Sequence, residues 1–134
     1  MKQNSTADRP AGIDVEFHNG VLRVELGVGA TVDALLAAYE GLLADERFSP
    51  NMNSIWDLSN FDLTGIALGE IRRITSSIRG QMPRRGSGFK AALVTERRVD
   101  FHLLRTYLAV LRLIGDLQLR AFESADKALV WLDA

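Results

Sequence analysis

The side chains best suited to chemistry lie in one short polar segment. It holds two carboxylates, Asp57 and Asp62, five positions apart, and the hydroxyls of Ser59 and Thr64. Paired carboxylates can carry out general acid–base catalysis, but that chemistry also needs a positioned nucleophile, water or metal. No matching group stands at a suitable spacing, so an enzyme is the least favoured class and we assign no catalytic residue.

A second candidate is the pair Arg84 and Arg85, within the glycine-containing segment Gly80–Gly88. Two guanidinium groups can bind a phosphate or carboxylate through paired hydrogen bonds, which makes them an anion-binding candidate. Glycine and arginine are also frequent in exposed connections between elements. We predict that the segment is a loop. Both interpretations stay open, and the solvated connection is preferred to the anion site.

Neither a metal site nor a cofactor is indicated. His18 and His102 are the only histidines, neither has a second ligand at metal-binding spacing, and cysteine is absent. Gly27 and Gly29 precede a predicted helix, as in dinucleotide-binding loops, but Val32 stands where the third glycine would be. We predict a tight strand-to-helix turn there.

Length and composition indicate one globular domain. The chain has 134 residues, of which 47% are hydrophobic and 25% charged. The net charge of −1 argues against a general nucleic-acid binder, but it hides an asymmetry. Residues 1–71 carry 4 basic and 11 acidic side chains, whereas residues 72–120 carry 11 basic and 3 acidic ones. The basic part can contact the acidic part of a second copy or of a partner, so a homo-oligomer is possible.

The ends of the chain and its hydropathy predict its location. Residues 1–11 are polar and lack the apolar core of a signal peptide, so we expect a flexible N-terminal tail before a single domain at residues 12–134. No stretch reaches the roughly 18 apolar residues of a membrane span. We therefore expect a cytoplasmic protein with no membrane span.

Period-two and helical patterns predict nine elements. Strands are predicted at Ile13–Phe17, Leu22–Leu26, Ile55–Ser59, Phe89–Thr95 and Leu117–Phe122. Helices are predicted from Thr31 to about Asp45, from near Thr64 through Ile78, from Asp100 to Leu113 with Gly115 after its end, and after Ser124. Asn19-Gly20 between the first two strands is a strong hairpin signal.

The element order β-β-α-β-α-β-α-β-α predicts an α/β fold. Strands that alternate with helices form right-handed crossovers and parallel neighbours. We expect a single-layer, mixed but largely parallel five-stranded sheet, flanked by four helices, with the hairpin at one edge.

The decapeptide Asp57–Ile66 resembles the core of STAS domains, the family of anti-sigma factor antagonists and sulfate-transporter tails. In that family the third strand ends in Asp-Leu-Ser, and a short loop leads to Asp-Ser-Ser-Gly-Leu at a helix start. This chain matches at Asp57, Leu58, Ser59, Asp62 and Gly65, and conservatively at Thr64 and Ile66. Phe122-Glu123 and Ala128–Leu132 are similar to the SpoIIAA-like subgroup of small bacterial proteins, so the resemblance covers roughly residues 13–134.

The resemblance implies a SpoIIAA-like, STAS-type fold and a non-enzymatic regulatory or protein-interaction module. In the antagonists, a partner kinase phosphorylates the second Ser of the pair; Thr64 stands there, and Leu63 replaces the first Ser. Thr64, Asp57, Ser59 and Asp62 are therefore candidates for phosphorylation or for binding a kinase or regulator. Asp57 either orients Thr64 or is a turn residue. The simpler alternative is that Thr64 caps the helix with support from Asp62.

A small-molecule or lipid carrier of Sec14-like type is the alternative function, because SpoIIAA-like proteins are often grouped with that fold. The apolar helix from Phe101 to Ile114, with Tyr107 and Trp131, would line its pocket. These residues can equally form the core, which is the preferred interpretation.

Overall fold

A computed structural model describes residues 12–85, 88–112 and 118–133. The predicted tail at residues 1–11 lies outside the described residues, as do Ser87 and the predicted helix terminator Gly115. The strands are β1 (Ile13–His18), β2 (Val21–Leu26), β3 (Asn53–Asp57), β4 (Lys90–Val94) and β5 (Gln118–Phe122). The helices are α1 (Val32–Leu43), α2 (Leu68–Arg85), α3 (Arg98–Leu111) and α4 (Ala125–Asp133).

The opening hairpin forms as predicted. Asn19 and Gly20 make its turn with positive φ values of 51° and 75°, a conformation that these two residue types tolerate well. β1 pairs with β2 in antiparallel register, so that Ile13 faces Leu26. Both of these side chains are buried, which confirms the core face that the alternating pattern indicates.

The sheet follows the chain, in the order β1-β2-β3-β4-β5. β2 to β5 are parallel neighbours, and only β1 runs antiparallel. Each crossover advances one strand in the same direction, and right-handed crossovers therefore bring α1, α2 and α3 to one face. The predicted mixed, largely parallel five-stranded sheet with four helices is confirmed.

Two apolar cores lie on opposite faces of the sheet. The larger one packs under α1–α3 and includes Leu26 and Leu108. The smaller one packs Ile55 and Ala92 of the sheet against Ala128 of α4. β4 is thus covered on both faces, as its nearly continuous apolar run predicts.

Side-chain caps fix two helix starts where the sequence predicts them. Thr31 Oγ1 accepts a hydrogen bond from the backbone N of Ala34 (3.1 Å), and Ser124 Oγ accepts one from the backbone N of Lys127 (3.3 Å). Such caps satisfy amides that have no partner inside the helix. Within the described ranges, no helix combines the length and the apolar character that crossing a membrane requires.

The acidic and basic parts of the chain meet within one molecule. Asp33 on α1 forms an ion pair with Arg73 on α2, 40 positions later. Further along, Arg105, Arg112 and Arg120 line one groove on α3 and β5. Opposite charges from the two parts of the chain therefore partly neutralise each other inside the fold.

Candidate functional site

The β3–α2 loop (residues 58–67) contains nearly all of the decapeptide Asp57–Ile66. It follows β3 at the carboxyl-terminal edge of the sheet. Leu58, Phe61 and Leu63 are buried in the larger core, at 6%, 4% and 2% exposure. Asp62 and Thr64 are exposed. The loop thus has an apolar underside and a polar outer side.

Hydrogen bonds to two neighbouring elements hold the loop backbone. The backbone N of Leu58 donates to the carbonyl oxygen of Val94 on β4 (2.7 Å). Tyr107 Oη, on α3, donates to the carbonyl oxygen of Leu63 (3.0 Å). Paired backbone groups give an irregular segment a defined path. The residue after Leu63 is Thr64, which is therefore presented from an anchored backbone.

The Asp62 carboxylate organises the turn that carries Thr64. Its Oδ1 accepts hydrogen bonds from the backbone N (3.1 Å) and from Oγ1 (2.6 Å) of Thr64. A Cβ at Gly65 would lie 2.9 Å from Asp62 Oδ2, so a residue without a side chain suits this position. The bond from the Thr64 hydroxyl is the main cause that lowers the pKa of Asp62, and the charge of Arg97 lowers it further.

Thr64 is not the N-cap of α2, so this alternative is wrong. α2 begins at Leu68, and Glu70 Oε1 accepts a hydrogen bond from the backbone N of Ala67 (3.0 Å) at that end. Asp62 instead draws Thr64 into an earlier turn, because aspartate side chains readily bind the backbone two residues on. A phosphate on Thr64 would therefore lie beside the Asp62 carboxylate and not at the positive end of the α2 dipole.

Asp57 and Ser59 form a separate turn at the end of β3. Asp57 Oδ1 accepts a hydrogen bond from the backbone N of Ser59 (3.0 Å), and Ser59 Oγ accepts one from the backbone N of Glu96 (3.2 Å). Of the two roles predicted for Asp57, orienting Thr64 or acting as a turn residue, it takes the second. The carboxylate that contacts Thr64 is that of Asp62. The four predicted residues lie along one edge, in two adjacent turns.

The turn at Asp62 is expected to open in acid below the usual range of aspartate. Because the pKa of Asp62 is lowered in the folded protein, its stabilising bonds are complete above the unfolded value, near pH 4. They are lost as the pH falls through the lower folded value. The amide resonances of Thr64 and Gly65, followed by NMR between about pH 5 and pH 2, report the pH at which half of the molecules have lost these bonds. Thr64→Val removes the hydroxyl donor and should move the midpoint upward; an unchanged midpoint contradicts the assignment.

The predicted loop Gly80–Gly88 is helical as far as Arg85, which is a second correction. α2 runs from Leu68 to Arg85 and includes Pro83 in its last turn. Proline removes one backbone donor there and its ring crowds the carbonyl group four positions earlier, but the helix nevertheless continues to Arg85. Arg85 follows Ile78 by seven positions and so continues the same helix face. That spacing is the signal that could have identified it, but the glycines and the proline favoured a loop.

Arg85 is buried, with 3% of its surface exposed. Its guanidinium carbon lies 3.6 Å from the centre of the Phe89 ring, and Nη2 donates to Ser54 Oγ (3.3 Å). The preferred interpretation of a solvated connection is therefore wrong for this residue. The Arg84 side chain lies outside the described atoms, so the structure places only one member of the predicted pair.

Arg85 lines an apolar cavity of about 150 Å³ between the sheet and α1–α3. The wall includes Trp56 and Leu108, together with the underside of the β3–α2 loop. Tyr107 lines the cavity, in agreement with the sequence-based expectation for a pocket. Trp131 does not, because it packs on the opposite face of the sheet, with its ring 5.5 Å from that of Phe122.

The electrostatics of the cavity centre on Arg85, the one charged residue in its described wall. Across the described ranges, no carboxylate forms an ion pair with Arg85, and its Nη1 has no hydrogen-bond partner. Burial lowers the pKa of Arg85 to about 10. Burial also raises the pKa of Tyr39, although the charge of Arg85 opposes that shift. The cavity wall therefore contains a buried cationic donor that no described residue pairs with.

The histidines and the glycine turn take no part in this site. His18 on β1 and His102 on α3 are both exposed, and the described residues hold no group of three or more candidate metal ligands. Gly29 has a φ of 88°, and the backbone N of Ala30 donates to the carbonyl oxygen of Gly27 (3.2 Å). This is the predicted tight turn between β2 and α1.

Comparison with solved structures identifies a similar fold. The chain resembles an uncharacterized protein of the DUF3478 family from Shewanella loihica, described as having a SpoIIAA-like fold. The TM-score is 0.52 at 18% sequence identity, over 90% of this chain and 91% of the other. No protein-family model and no curated protein matches the chain. The structural likeness shows that the chain has a SpoIIAA-like fold.

Proposed function

We propose that this chain of SpoIIAA-like fold is a non-enzymatic regulatory module that binds a protein partner, a kinase or another regulator, through the outer side of the β3–α2 loop. The partner contacts Asp57, Ser59, Asp62 and Thr64. The observation that carries the proposal is the exposed Thr64 hydroxyl on an anchored turn, bound to Asp62 at 2.6 Å. The resemblance of the surrounding decapeptide to anti-sigma factor antagonists supports the same surface.

Phosphorylation of Thr64 is the proposed switch. The modification replaces the hydroxyl proton through which Thr64 donates a hydrogen bond to Asp62, and it adds a charge of about −1.5 to −2. Two negative groups then face each other across the turn, which lowers the stability of that turn and changes the charge of the docking surface. The buried underside, including Leu63, keeps the rest of the loop in the core.

A non-enzymatic role is consistent with how the carboxylates are used. Asp57 and Asp62 each bind a backbone N–H within their own turn. Among the described residues, no group of three or more candidate metal ligands is present. Both carboxylates thus fix the shape of the docking surface and give it negative charge.

The proposed docking surface is tested by affinity capture with the full chain. Thr64→Glu adds a negative charge in place of the hydroxyl and should reduce recovery of the bound partner severalfold, whereas Thr64→Ala should retain it. Partner identity and amount are measured by quantitative mass spectrometry. Thr106→Glu is the matched control, because Thr106 is another exposed threonine, on α3. Equal recovery with Thr64→Glu and Thr64→Ala contradicts the proposal.

A small-molecule carrier of Sec14-like type is the second candidate function, and the apolar cavity favours it. At about 150 Å³ the cavity is smaller than the 300–1,000 Å³ of typical ligand pockets. A compact ligand fits better than a phospholipid. Binding of a neutral aromatic probe to the cavity tests this candidate independently of the loop surface.

A further inference from the structure

The strongest unexplained feature of the molecule is a cation placed in an apolar cavity. Arg85 is nearly completely buried, and within the described residues the one hydrogen bond of its side chain runs from Nη2 to Ser54 Oγ. Nη1 is buried and has no hydrogen-bond partner in the part of the chain that the structure describes, although burial of an unpaired charged group is strongly unfavourable. Most such groups are paired or coordinate an ion. An anionic group inside the cavity would supply the missing partner.

The surroundings of Arg85 limit what that anion can be attached to. Ser54 Oγ already accepts bonds from Trp56 Nε1 (3.0 Å) and from Arg85. The Tyr39 hydroxyl is a further polar group of the described wall that can donate, whereas the hydroxyl of Tyr107 already donates to the carbonyl oxygen of Leu63. The remaining described wall is mostly apolar, with Leu93 and Leu108 as examples. A ligand that satisfies both features has one anionic group and a hydrocarbon body.

The size of the cavity limits the hydrocarbon part. An apolar cavity of about 150 Å³ in another protein holds a benzene molecule, and this cavity has about the same volume. Several lining residues are only half-buried, among them Leu35, Ile74 and Tyr107, so the cavity lies close to solvent. The volume suits a ligand about the size of one ring.

We propose that the cavity is a binding site for a small apolar carboxylate, about the size of a single aromatic ring, whose carboxylate accepts a hydrogen bond from Arg85 Nη1. The hydrocarbon body lies against Trp56 and the leucines of the wall. This inference rests on the second candidate function and names its ligand class. It does not depend on Thr64.

The proposal is tested with two fluorinated probes that differ in charge. 4-Fluorobenzoate and 4-fluorobenzyl alcohol are titrated into the full chain and followed by ¹⁹F NMR. We expect the carboxylate to bind at least about tenfold more tightly, equivalent to about 1.4 kcal/mol, because hydrogen bonds between charged groups are the stronger kind. Equal affinity of the two probes, or no binding of 4-fluorobenzoate, overturns the proposal.

The two tryptophans of the chain report where the probe binds. The Trp56 indole N–H bonds to Ser54 beside Arg85, whereas Trp131 lies on the other face of the sheet. 4-Fluorobenzoate should shift the Trp56 indole resonance and leave that of Trp131 unchanged. Inorganic phosphate should shift neither. A shift at Trp131 alone, or a phosphate effect at Trp56 equal to that of 4-fluorobenzoate, overturns the proposal.

Variants separate the charge of Arg85 from its bulk. Arg85→Met keeps an apolar side chain of similar length and should remove the tenfold preference for the carboxylate. Arg85→Lys keeps the charge and should retain part of the preference. Arg47→Met, the matched control, removes an exposed arginine that also lies over an aromatic ring, that of Phe17. A preference that survives in Arg85→Met contradicts the proposal.

The failure of the carboxylate proposal and the failure of the carrier function are distinguishable. If 4-fluorobenzyl alcohol binds as well as 4-fluorobenzoate and shifts Trp56, the cavity takes ligands but does not select a carboxylate. If neither probe shifts Trp56, the cavity takes no ligand of this size, and both ideas fail together.

Discussion

Replacing Arg85 with methionine is expected to raise the free energy of unfolding by about 1–3 kcal/mol, because it removes a buried donor that has no partner among the described residues. The native side chain places a guanidinium where 3% of the residue is exposed and no carboxylate among the described residues pairs with it. Burial lowers its pKa to about 10, which reflects the unfavourable burial of the charged form. Methionine keeps contact with the Phe89 ring through its polarisable sulfur and removes the unpaired donor.

The measurement is urea unfolding at neutral pH, compared with wild type. Arg85→Met loses the cation–π interaction with the Phe89 ring and the hydrogen bond to Ser54, so the expected gain is a net value after these losses. Arg47→Met serves again as the control and should change stability little, because that side chain is exposed. If Arg85→Met is clearly less stable than wild type, the buried charge is structural and already compensated inside the fold.

A gain in stability on removing Arg85 would have a functional meaning. Groups that destabilise the folded state concentrate where binding or chemistry needs them. Saturating concentrations of 4-fluorobenzoate should then stabilise the wild type more than Arg85→Met, because a ligand stabilises only the state that binds it. The same residue is thus expected to oppose folding and to favour binding.

Leu63→Ala is expected to lower the free energy of unfolding by about 2–5 kcal/mol. Leu63 is 2% exposed and is one of the side chains that hold the β3–α2 loop in the larger core. Truncation removes these contacts and enlarges the existing cavity, whose wall includes Leu63. Tyr107 Oη donates its hydrogen bond to the carbonyl oxygen of residue 63, and the truncation leaves this part of the backbone less constrained.

The matched control for this core truncation is Leu129→Ala on α4. Leu129 is 39% exposed, so the same chemical change should lower stability much less. Thermal and urea unfolding compare the two variants with wild type. Hydrogen exchange at Thr64 should accelerate in Leu63→Ala and not in Leu129→Ala. Equal losses in the two variants would show that the loop underside is not part of the core.

The fold was largely predictable from sequence because its signals are local. The Asn19-Gly20 turn and the caps at Thr31 and Ser124 each depend on residues within four positions of one another. Strands alternating with helices then leave few topologies open. Local signals and the three-dimensional fold agree throughout these regions.

The candidate sites were less predictable because they depend on long-range packing. Asp62 and Thr64 can form either an Asx turn or a helix cap with the same side chains, and the choice depends on how Leu63 is buried. The sequence predicts Arg85 to be an exposed loop residue because its segment, Gly80–Gly88, holds three glycines and Pro83. Its contacts are with Ser54 on β3 and Phe89 before β4, which no local pattern contains.

The two-sided β3–α2 loop has a thermodynamic consequence. Leu63 contributes to the cavity wall, while the next residue, Thr64, belongs to the proposed docking surface, so one backbone serves two binding equilibria. If a cavity ligand favours one conformation of the loop, it changes the affinity for a partner that distinguishes the same conformations. Reciprocity then requires the partner to change the affinity for the ligand by the same factor. The coupling free energy between the two sites is therefore a single quantity, measurable from either side.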